Sequence, residues 1–364
     1  MSADASTHFA QSYAEARTKF LAAARTAALE LQSHRHPLPG RDGEELALDV
    51  ARFGGADAQR LLIVSSACHG VEGFCGSGVQ NALLADSAFH QQARDTGVAV
   101  LYLHGLNPWG FSWWRRWTQE NVDLNRNFQD FDDPAGLPVN AAYDELAQPL
   151  VPDTWPAPDA DAVLYAYMAR HGQPAIQHAI SGGQYRHPQG LFYGGTTPTW
   201  SHRTLREVLR AHARRCARLA WIDIHTGLGP EGHGERMACA RADDAEGLAR
   251  TRAWWGAQVT SLYQDDCVSS TLEGIMGHLP YEECPQAEYA GIMLEYGTVP
   301  SEEVVMALRA DQWLENHPEV DAATRRAIKR RLRDAFYTDT DAWKDRVVAQ
   351  GLDAARDAVR GMAS

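Results

Sequence analysis

The chain contains 364 residues, of which 45% are hydrophobic and 22% are charged, a balance typical of a globular protein. Its formal net charge of −13 argues against a protein that binds a nucleic-acid backbone or an anionic membrane surface. The sequence has no apolar run of membrane-spanning length and no apolar signal-peptide core at its start. Its six cysteines include no CxxC pair, so we expect reduced thiols and a cytoplasmic location.

The spacing of apolar residues predicts the elements in chain order. Helical spacing from Phe20 to Leu31 predicts an N-terminal helix within residues 5–32, which a Pro-rich stretch follows. Strands are predicted at residues 46–53, 60–67, 98–103, 219–224 and 292–295. Helices are predicted at residues 78–93, 202–218 and 243–262, and across most of residues 301–361. Residues 129–158, rich in Asp, Pro and Ala, are predicted to form a long loop.

The alternation of strands and helices predicts the fold class. It is typical of an α/β fold with a mixed, mainly parallel sheet. No stretch has the composition of a linker, so we predict a single domain over residues 1–364, with the N-terminal and C-terminal helices packed on it. In open sheets of this class, functional groups collect in the loops at the carboxyl ends of the strands.

Three of the predicted strands end in side chains that can bind metal or transfer protons. His69 and Glu72 follow one strand with two residues between them, and His225 ends another. Two histidines and a glutamate with an open fourth position form a hydrolytic zinc arrangement, in which the metal activates water and polarises a carbonyl. Glu295, at the end of a third strand, is the natural carboxylate to take the water's proton.

A segment rich in arginine and asparagine follows the strand at residues 98–103. It contains Arg115 and Arg116, and then Asn125 and Arg126. Arginine binds carboxylates in a bidentate manner, and an asparagine amide adds a further hydrogen bond. We therefore expect one arginine to anchor a substrate carboxylate and another to stabilise an oxyanion.

The segments HGVEG, NPWGF, RR, NVDLNRNF, DIHTG and LEYGT together resemble the zinc carboxypeptidase superfamily of the carboxypeptidase A type. They are most similar to a bacterial branch known mainly as a domain of unknown function. The segment from Gly183 to Gly195 is also similar to that branch. The resemblance implies a mixed sheet of about eight strands with helices on both faces, and one zinc ion per chain.

Carried over motif by motif, the resemblance also implies a role for each site residue. Zinc would be held by His69, Glu72 and His225. Asn125 and Arg126 would bind the substrate's carboxylate, and Glu295 would be the general base. Arg116 would polarise the scissile carbonyl, with Arg115 as a rival for that role. The spacer before Asn125 is shorter than in the digestive members, and the substrate-capping tyrosine is left open among Tyr193, Tyr281 and Tyr289.

Simpler structural explanations exist for several of these residues. A histidine at a strand end often only bonds loop backbone, and a lone arginine such as Arg115 is typical of a structural ion pair. His104 is a further possible ligand, but the set of three is complete without it. Cys68, beside His69, is the one cysteine that we expect could react or contact metal.

The residues and the resemblance together predict a zinc-dependent hydrolase that cleaves an amide bond next to a free carboxylate. An amidase or deacylase of N-acyl amino acids or cell-wall peptides is the main alternative, because the same zinc site serves both. Loops at residues 129–158 and 184–200 would distinguish them. A non-catalytic module that binds a carboxylate is a third hypothesis, and the completeness of the site argues against it. The expected partner is a peptide or acyl-amino-acid substrate.

Overall fold

The computed structural model describes residues 5–264 and 266–364, and these residues form an eight-stranded sheet with helices on both faces. The strands are β1 (Glu30–Arg35), β2 (Ala47–Phe53), β3 (Arg60–Ser65), β4 (Val98–His104), β5 (Arg218–Glu231), β6 (Gly234–Ala238), β7 (Thr260–Ser261) and β8 (Glu288–Gly297). None of the helices that the structure describes combines the length and apolar character needed to cross a membrane.

The helices surround this sheet and extend from near the start of the chain to its end. They are α1 (Tyr13–Thr26), α2 (Gly73–Ala85), α3 (Ser87–Asp95), α4 (Pro108–Trp113), α5 (Ala141–Leu150), α6 (Pro158–His171), α7 (Gln173–Ser181), α8 (Trp200–His212), α9 (Ala245–Trp255), α10 (Leu279–Glu283), α11 (Ser301–Asn316), α12 (Ala322–Phe336) and α13 (Asp341–Ala363). The last three confirm the prediction of a largely helical C-terminal region.

The sheet is mixed, with a parallel centre. Its strand order is β1-β2-β4-β3-β5-β8-β6-β7. The four central strands β4, β3, β5 and β8 run parallel to one another, whereas β1 and β2 on one side and β6 on the other add antiparallel pairs. This arrangement confirms the predicted fold class, and all five predicted strands are present.

The central strands are buried on both faces, which explains why they are continuous apolar runs in the sequence. Leu61 and Ile63 of β3 pack in a cluster with residues of α8. Leu62 and Val64, which point to the opposite face, pack in a cluster with residues of α1, α2 and α13. The carboxyl ends of β3, β5 and β8 consequently lie side by side between two layers of helices.

The predicted N-terminal helix is wrong at its carboxyl end. The helix α1 ends at Thr26, and Leu31 belongs to the edge strand β1. Ala28 adopts the left-handed conformation with φ of 54°, which interrupts the helix. Residues from Glu30 onward then pair with β2, so the hydrogen bonds of the sheet replace those of a continued helix.

Two further predictions of local structure need correction. The helix predicted at residues 78–93 is two helices, because Asp86 ends α2 and its side chain accepts hydrogen bonds from Ala88 N and Phe89 N at the start of α3. The loop predicted at residues 129–158 contains the helix α5, whose N-cap is Asn140. Tyr143 and Leu146 of α5 are buried, so tertiary packing outweighs the loop-like composition of the segment.

Close backbone packing joins the loop after β3 to the loop after β4. Gly70 N donates to Arg116 O at 3.1 Å, and Val71 N donates to Arg115 O at 2.8 Å. A Cβ atom at Gly70 would lie 2.1 Å from the carbonyl carbon of Gly110. Only glycine allows this approach, so the position of the arginine-bearing loop depends on Gly70.

We predict that Gly70→Ala lowers the free energy of unfolding by about 2–3 kcal/mol, because backbone atoms must move to admit the methyl group. Chemical denaturation measures the change. Gly55→Ala is the matched control, since a Cβ there meets only the Asp57 side chain, at 2.7 Å, and that side chain can rotate away. If both variants lost the same free energy of unfolding, the proposed close packing of the two loops at Gly70 would be contradicted.

Candidate metal centre

Sheet register places two of the predicted site residues next to each other. His225 of β5 and Glu295 of β8 are direct partners on adjacent parallel strands, so both side chains leave the same face of the sheet. His69 follows β3, the strand on the other side of β5, and precedes a 3-10 turn that ends at Glu72. All four side chains are buried. The predicted convergence of strand ends is therefore observed.

The donor atoms of three residues, His69, Glu72 and His225, lie close together. His69 Nδ1 lies 2.9 Å from Glu72 Oε1, and His225 Nδ1 lies 3.1 Å from Glu72 Oε2. The two Nδ1 atoms are 3.2 Å apart. A tetrahedral zinc ion with ligand distances near 2.0–2.1 Å requires its ligand atoms to lie about 3.3 Å from one another. The donor set and its spacing fit zinc.

Two aspartates orient the imidazoles. His225 Nε2 lies 2.5 Å from Asp223 Oδ2, and His69 Nε2 lies 3.1 Å from Asp123 Oδ1. Asp223 also accepts from Ser65 Oγ at 2.5 Å. A carboxylate beside one ring nitrogen favours a proton there and leaves the other nitrogen free to bind a metal.

Sequence reasoning missed both aspartates as site residues. Asp223 lies two positions before His225 on the same strand, and Asp123 lies two positions before Asn125. Side chains two apart on a strand share a face, so the spacing of Asp223 and His225 is sufficient to predict that Asp223 lies beside the imidazole. Asp123 accepts a hydrogen bond from Asn125 N in a local turn, and this contact is harder to foresee.

The electrostatics of the site favour positive charge. Burial alone would raise the pKa of Glu72, but His69 and His225 hold it well below its ordinary value. Burial alone would lower the pKa of His225, but Asp223 and Glu72 raise it well above its ordinary value. Buried carboxylates thus stabilise a cation beside Glu72, whether that cation is an imidazolium or a metal ion.

Arg116 borders this donor set. Its Nε donates to Asp123 Oδ2 at 3.0 Å, its Nη1 donates to Glu72 Oε1 at 2.9 Å, and its Nη2 lies 2.8 Å from His69 Nε2. A guanidinium only donates, so the contact with His69 favours a proton on Nδ1, whereas Asp123 favours one on Nε2. A metal at Nδ1 requires the second arrangement, in which Nη2 of Arg116 no longer donates to His69 Nε2.

Glu295 is a buried carboxyl group beside the donor set. Its Oε1 accepts from Leu228 N at 3.0 Å. Burial first, and then the charge of Glu72, raise the pKa of Glu295 to about 8. A carboxyl group whose pKa lies near neutrality is suited to accept a proton and to return it.

Asn125 and Arg126 lie against the same cavity, which has a volume of about 630 Å³ and is also lined by His69, His225, Glu295 and Arg116. The Asn125 Oδ1 accepts from Met276 N at 2.8 Å, while its Nδ2 has only the Met293 sulfur, at 3.7 Å, as a partner among the hydrogen bonds of the described residues. Arg126 donates to Ser181 O and Asn125 O. Burial and the nearby Arg116 lower the pKa of Arg126.

The structure does not bring Arg115 to the cavity. Its side chain turns toward α11, where Nε donates to Asp311 Oδ2 at 3.2 Å and Nη2 donates to Gln312 Oε1 at 3.2 Å. Nη2 also donates to Asn121 Oδ1 at 2.9 Å. The predicted role of Arg115 as a substrate-binding residue is therefore replaced by a structural one, in line with the ion-pair alternative.

The other candidate residues lie away from the cavity. None of Tyr193, Tyr281 and Tyr289 is among the described residues that line it. His104 is buried against Ser77, at 3.0 Å, and stacks on Phe20. Cys68 groups with Asp223 and His225 behind the donor set, and burial raises the pKa of its thiol, so it is a poor source of thiolate.

Comparison with known families identifies the branch. Residues 9–350 match the family model described as "Protein of unknown function (DUF2817)". The chain belongs to the DUF2817 family. This match confirms the predicted relationship to a branch known as a domain of unknown function. Among curated proteins, no match was found.

Solved structures similar to the chain include three carboxypeptidase-related proteins. Bovine thrombin-activatable fibrinolysis inhibitor in complex with tick carboxypeptidase inhibitor has 10% identity and a TM-score of 0.48, covering 97% of each chain. Carboxypeptidase A from Helicoverpa armigera has 12% identity and a TM-score of 0.42, covering 94% of this DUF2817 chain and 74% of its own. Metallo-carboxypeptidase from Burkholderia cenocepacia has 10% identity and a TM-score of 0.45, and the match covers 95% of this chain and 68% of the chain of that protein.

We predict that the DUF2817 protein purified without added metal contains about one zinc ion per chain, and that His69→Ala loses it. Mass spectrometry of the metal content measures both. The control is His233→Ala, because His233 is exposed. A wild-type chain that binds no zinc even when zinc is supplied would contradict the metal centre.

We also predict that Arg115→Met lowers the free energy of unfolding by about 3 kcal/mol, because it leaves the buried Asp311 without one of its partners. Asp311→Leu should lose a similar amount. The free energy of unfolding that the double variant loses should be smaller than the sum of the two single losses. Denaturation of the wild type, the two single variants and the double variant gives the interaction energy between Arg115 and Asp311. Additive losses, or a loss of bound zinc in Arg115→Met, would contradict a purely structural role.

Proposed function

We propose that this protein is a metal-dependent hydrolase that cleaves an amide bond adjacent to a free carboxylate. The observation that supports it best is the convergence of His69, Glu72 and His225 at mutual distances of 2.9–3.2 Å beside the carboxyl group of Glu295. A single cavity is lined by the two histidines and Glu295 together with two buried arginines. Metal-assisted attack of water on a carbonyl uses a metal ion held by such a donor set and a carboxylate that accepts the water's proton.

Zinc fits the donor set and, when bound, supplies a Lewis acid that polarises a carbonyl and lowers the pKa of water. Glu295 takes the proton of the attacking water and transfers it to the leaving amine. Its neighbour Leu228 N holds one carboxyl oxygen, so the other is free to face the substrate. Arg116 stabilises the negative charge that develops on the carbonyl oxygen.

The anchor for the free carboxylate consists of Asn125 and Arg126. Asn125 Nδ2 has no oxygen partner among the hydrogen bonds of the described residues, so it can donate to an incoming carboxylate. Arg126 uses Nε, Nη1 and Nη2 on backbone carbonyls, which hold the guanidinium in place and leave further N–H groups. An anion there also offsets the unfavourable burial of Arg126 close to Arg116.

This proposal predicts that Glu295→Gln retains zinc while the kcat for an N-acyl amino acid or a C-terminal peptide falls by about 100-fold or more. The amide has the same shape but cannot accept the proton. Glu288→Gln, at the opposite end of the same strand and exposed, is the matched control. Full activity in Glu295→Gln, with zinc bound, would exclude Glu295 as the general base.

A further inference from the structure

Two groups of apolar side chains form much of the lining of the cavity. The helical wall comes from α6, α11 and the end of α12, and consists of Leu164, Met168, Val304, Val305, Leu308 and Phe336. The strand-side wall comes from β6, β8 and the segment before α10, and consists of Met237, Val268, Leu272 and Met293. The two walls belong to different hydrophobic clusters. The cavity-lining residues Ile176, Ile180 and Phe192 belong to the same cluster as the helical wall.

The strand-side wall adjoins the carboxylate anchor. Met293 lies two residues before Glu295 on β8, and its sulfur lies 3.7 Å from Asn125 Nδ2. In the proposed reaction, the amino-acid half of the substrate carries the carboxylate. The strand-side wall therefore lies next to that half.

The helical wall adjoins the metal ligands and Glu295 instead. Thr226, next to His225, donates through its hydroxyl to Phe336 O at 2.7 Å. The helix α11 begins at Ser301, six residues after Glu295, and its cavity-lining residues extend to Arg309. At 1.5 Å per residue, the segment of α11 from Ser301 to Arg309 is about 12 Å long.

The six side chains of the helical wall offer no hydrogen-bond partner to peptide groups. Its aliphatic side chains lie within helices, whose interior N–H and C=O groups bond to one another. Two pairs of polar side chains that line the cavity nearby bond to each other, since Arg309 donates to Asp161 at 2.6 Å and Tyr165 donates to Glu302. A peptide here would leave its amides without partners, whereas a hydrocarbon chain would not.

We propose that the helical wall binds an aliphatic acyl chain, so that the substrate is a medium- to long-chain N-acyl amino acid. This inference rests on the proposed function for the position of the reacting amide. The carboxylate is held at Asn125 and Arg126, the amide lies at the metal ligands, and the chain extends along α11. Hydrolysis then adds water across the amide bond and releases a fatty acid and an amino acid.

The test compares N-acetyl-, N-octanoyl- and N-dodecanoyl-alanine as substrates of the zinc-loaded full chain. We expect kcat/KM to rise about three- to fourfold for each methylene that the wall buries. Val305→Trp should reduce the ratio of kcat/KM for the dodecanoyl substrate to that for the acetyl substrate at least tenfold. The indole would occupy the space along the helical wall. Val268→Trp is the matched control on the strand-side wall, since both valines are partly buried and line the cavity. It should leave that ratio unchanged.

Three outcomes would overturn the inference. One is a kcat/KM that does not depend on acyl length. The second is a ratio that Val268→Trp reduces and Val305→Trp does not, which would place the hydrocarbon in the amino-acid half. The third is faster cleavage of a peptide with apolar residues before the alanine than of the dodecanoyl substrate.

Loss of the proposed function is distinguishable from loss of this inference. If the zinc-loaded protein cleaves none of the substrates, the acetyl compound included, the hydrolase proposal fails. Calorimetric binding of N-dodecanoyl-alanine then tests the helical wall alone. If Val305→Trp binds N-dodecanoyl-alanine at least tenfold more weakly than Val268→Trp does, the result supports binding of the acyl chain at the helical wall. Equal affinity in the two variants would overturn the inference.

Discussion

Mutual compensation of buried charges is the constraint on which the site depends. Three carboxylates lie beside two imidazoles and a guanidinium, namely Glu72, Asp123, Asp223, His69, His225 and Arg116. Buried charges are stable only when they are paired and hydrogen-bonded, so each group fixes the orientation of its neighbour. The result is that two imidazole nitrogens face one another beside a carboxylate. That arrangement repels itself unless a proton or a metal ion lies between the donor atoms.

The central sheet and the donor residues could be predicted because both depend on short-range patterns. Buried parallel strands are apolar runs, and the residue types change abruptly where such a run ends, as at His225 and Glu295. Parallel neighbours bring their carboxyl ends to one edge, so the strand pattern alone places these residues together. His69 and Glu72 followed from the same logic, since both lie in the turn immediately after β3.

The separate roles of the two adjacent arginines, the strand β1 and the helix α5 could not be predicted, because each depends on contacts with other parts of the chain. Arg115 and Arg116 are adjacent and chemically identical, and only the contact of Arg115 with Asp311, 196 residues later, separates their roles. The strand β1 forms because β2 offers it hydrogen bonds, whereas its own sequence continues the helical spacing of α1. The helix α5 is stabilised by burial of Tyr143 and Leu146, a tertiary effect that composition does not report.

The overall acidity of the chain bears on how it would recognise the carboxylate of the proposed substrate. A net charge of −13 repels carboxylates at long range, so electrostatic steering cannot bring such a substrate to the cavity. Salt screens that repulsion beyond about 10 Å, whereas the buried cations Arg116 and Arg126 act at contact and in a low dielectric. In the proposed reaction, recognition of the substrate carboxylate therefore depends on buried groups that act only at short range. Burial of hydrocarbon against an apolar wall adds to that short-range attraction and is insensitive to the charge of the surface.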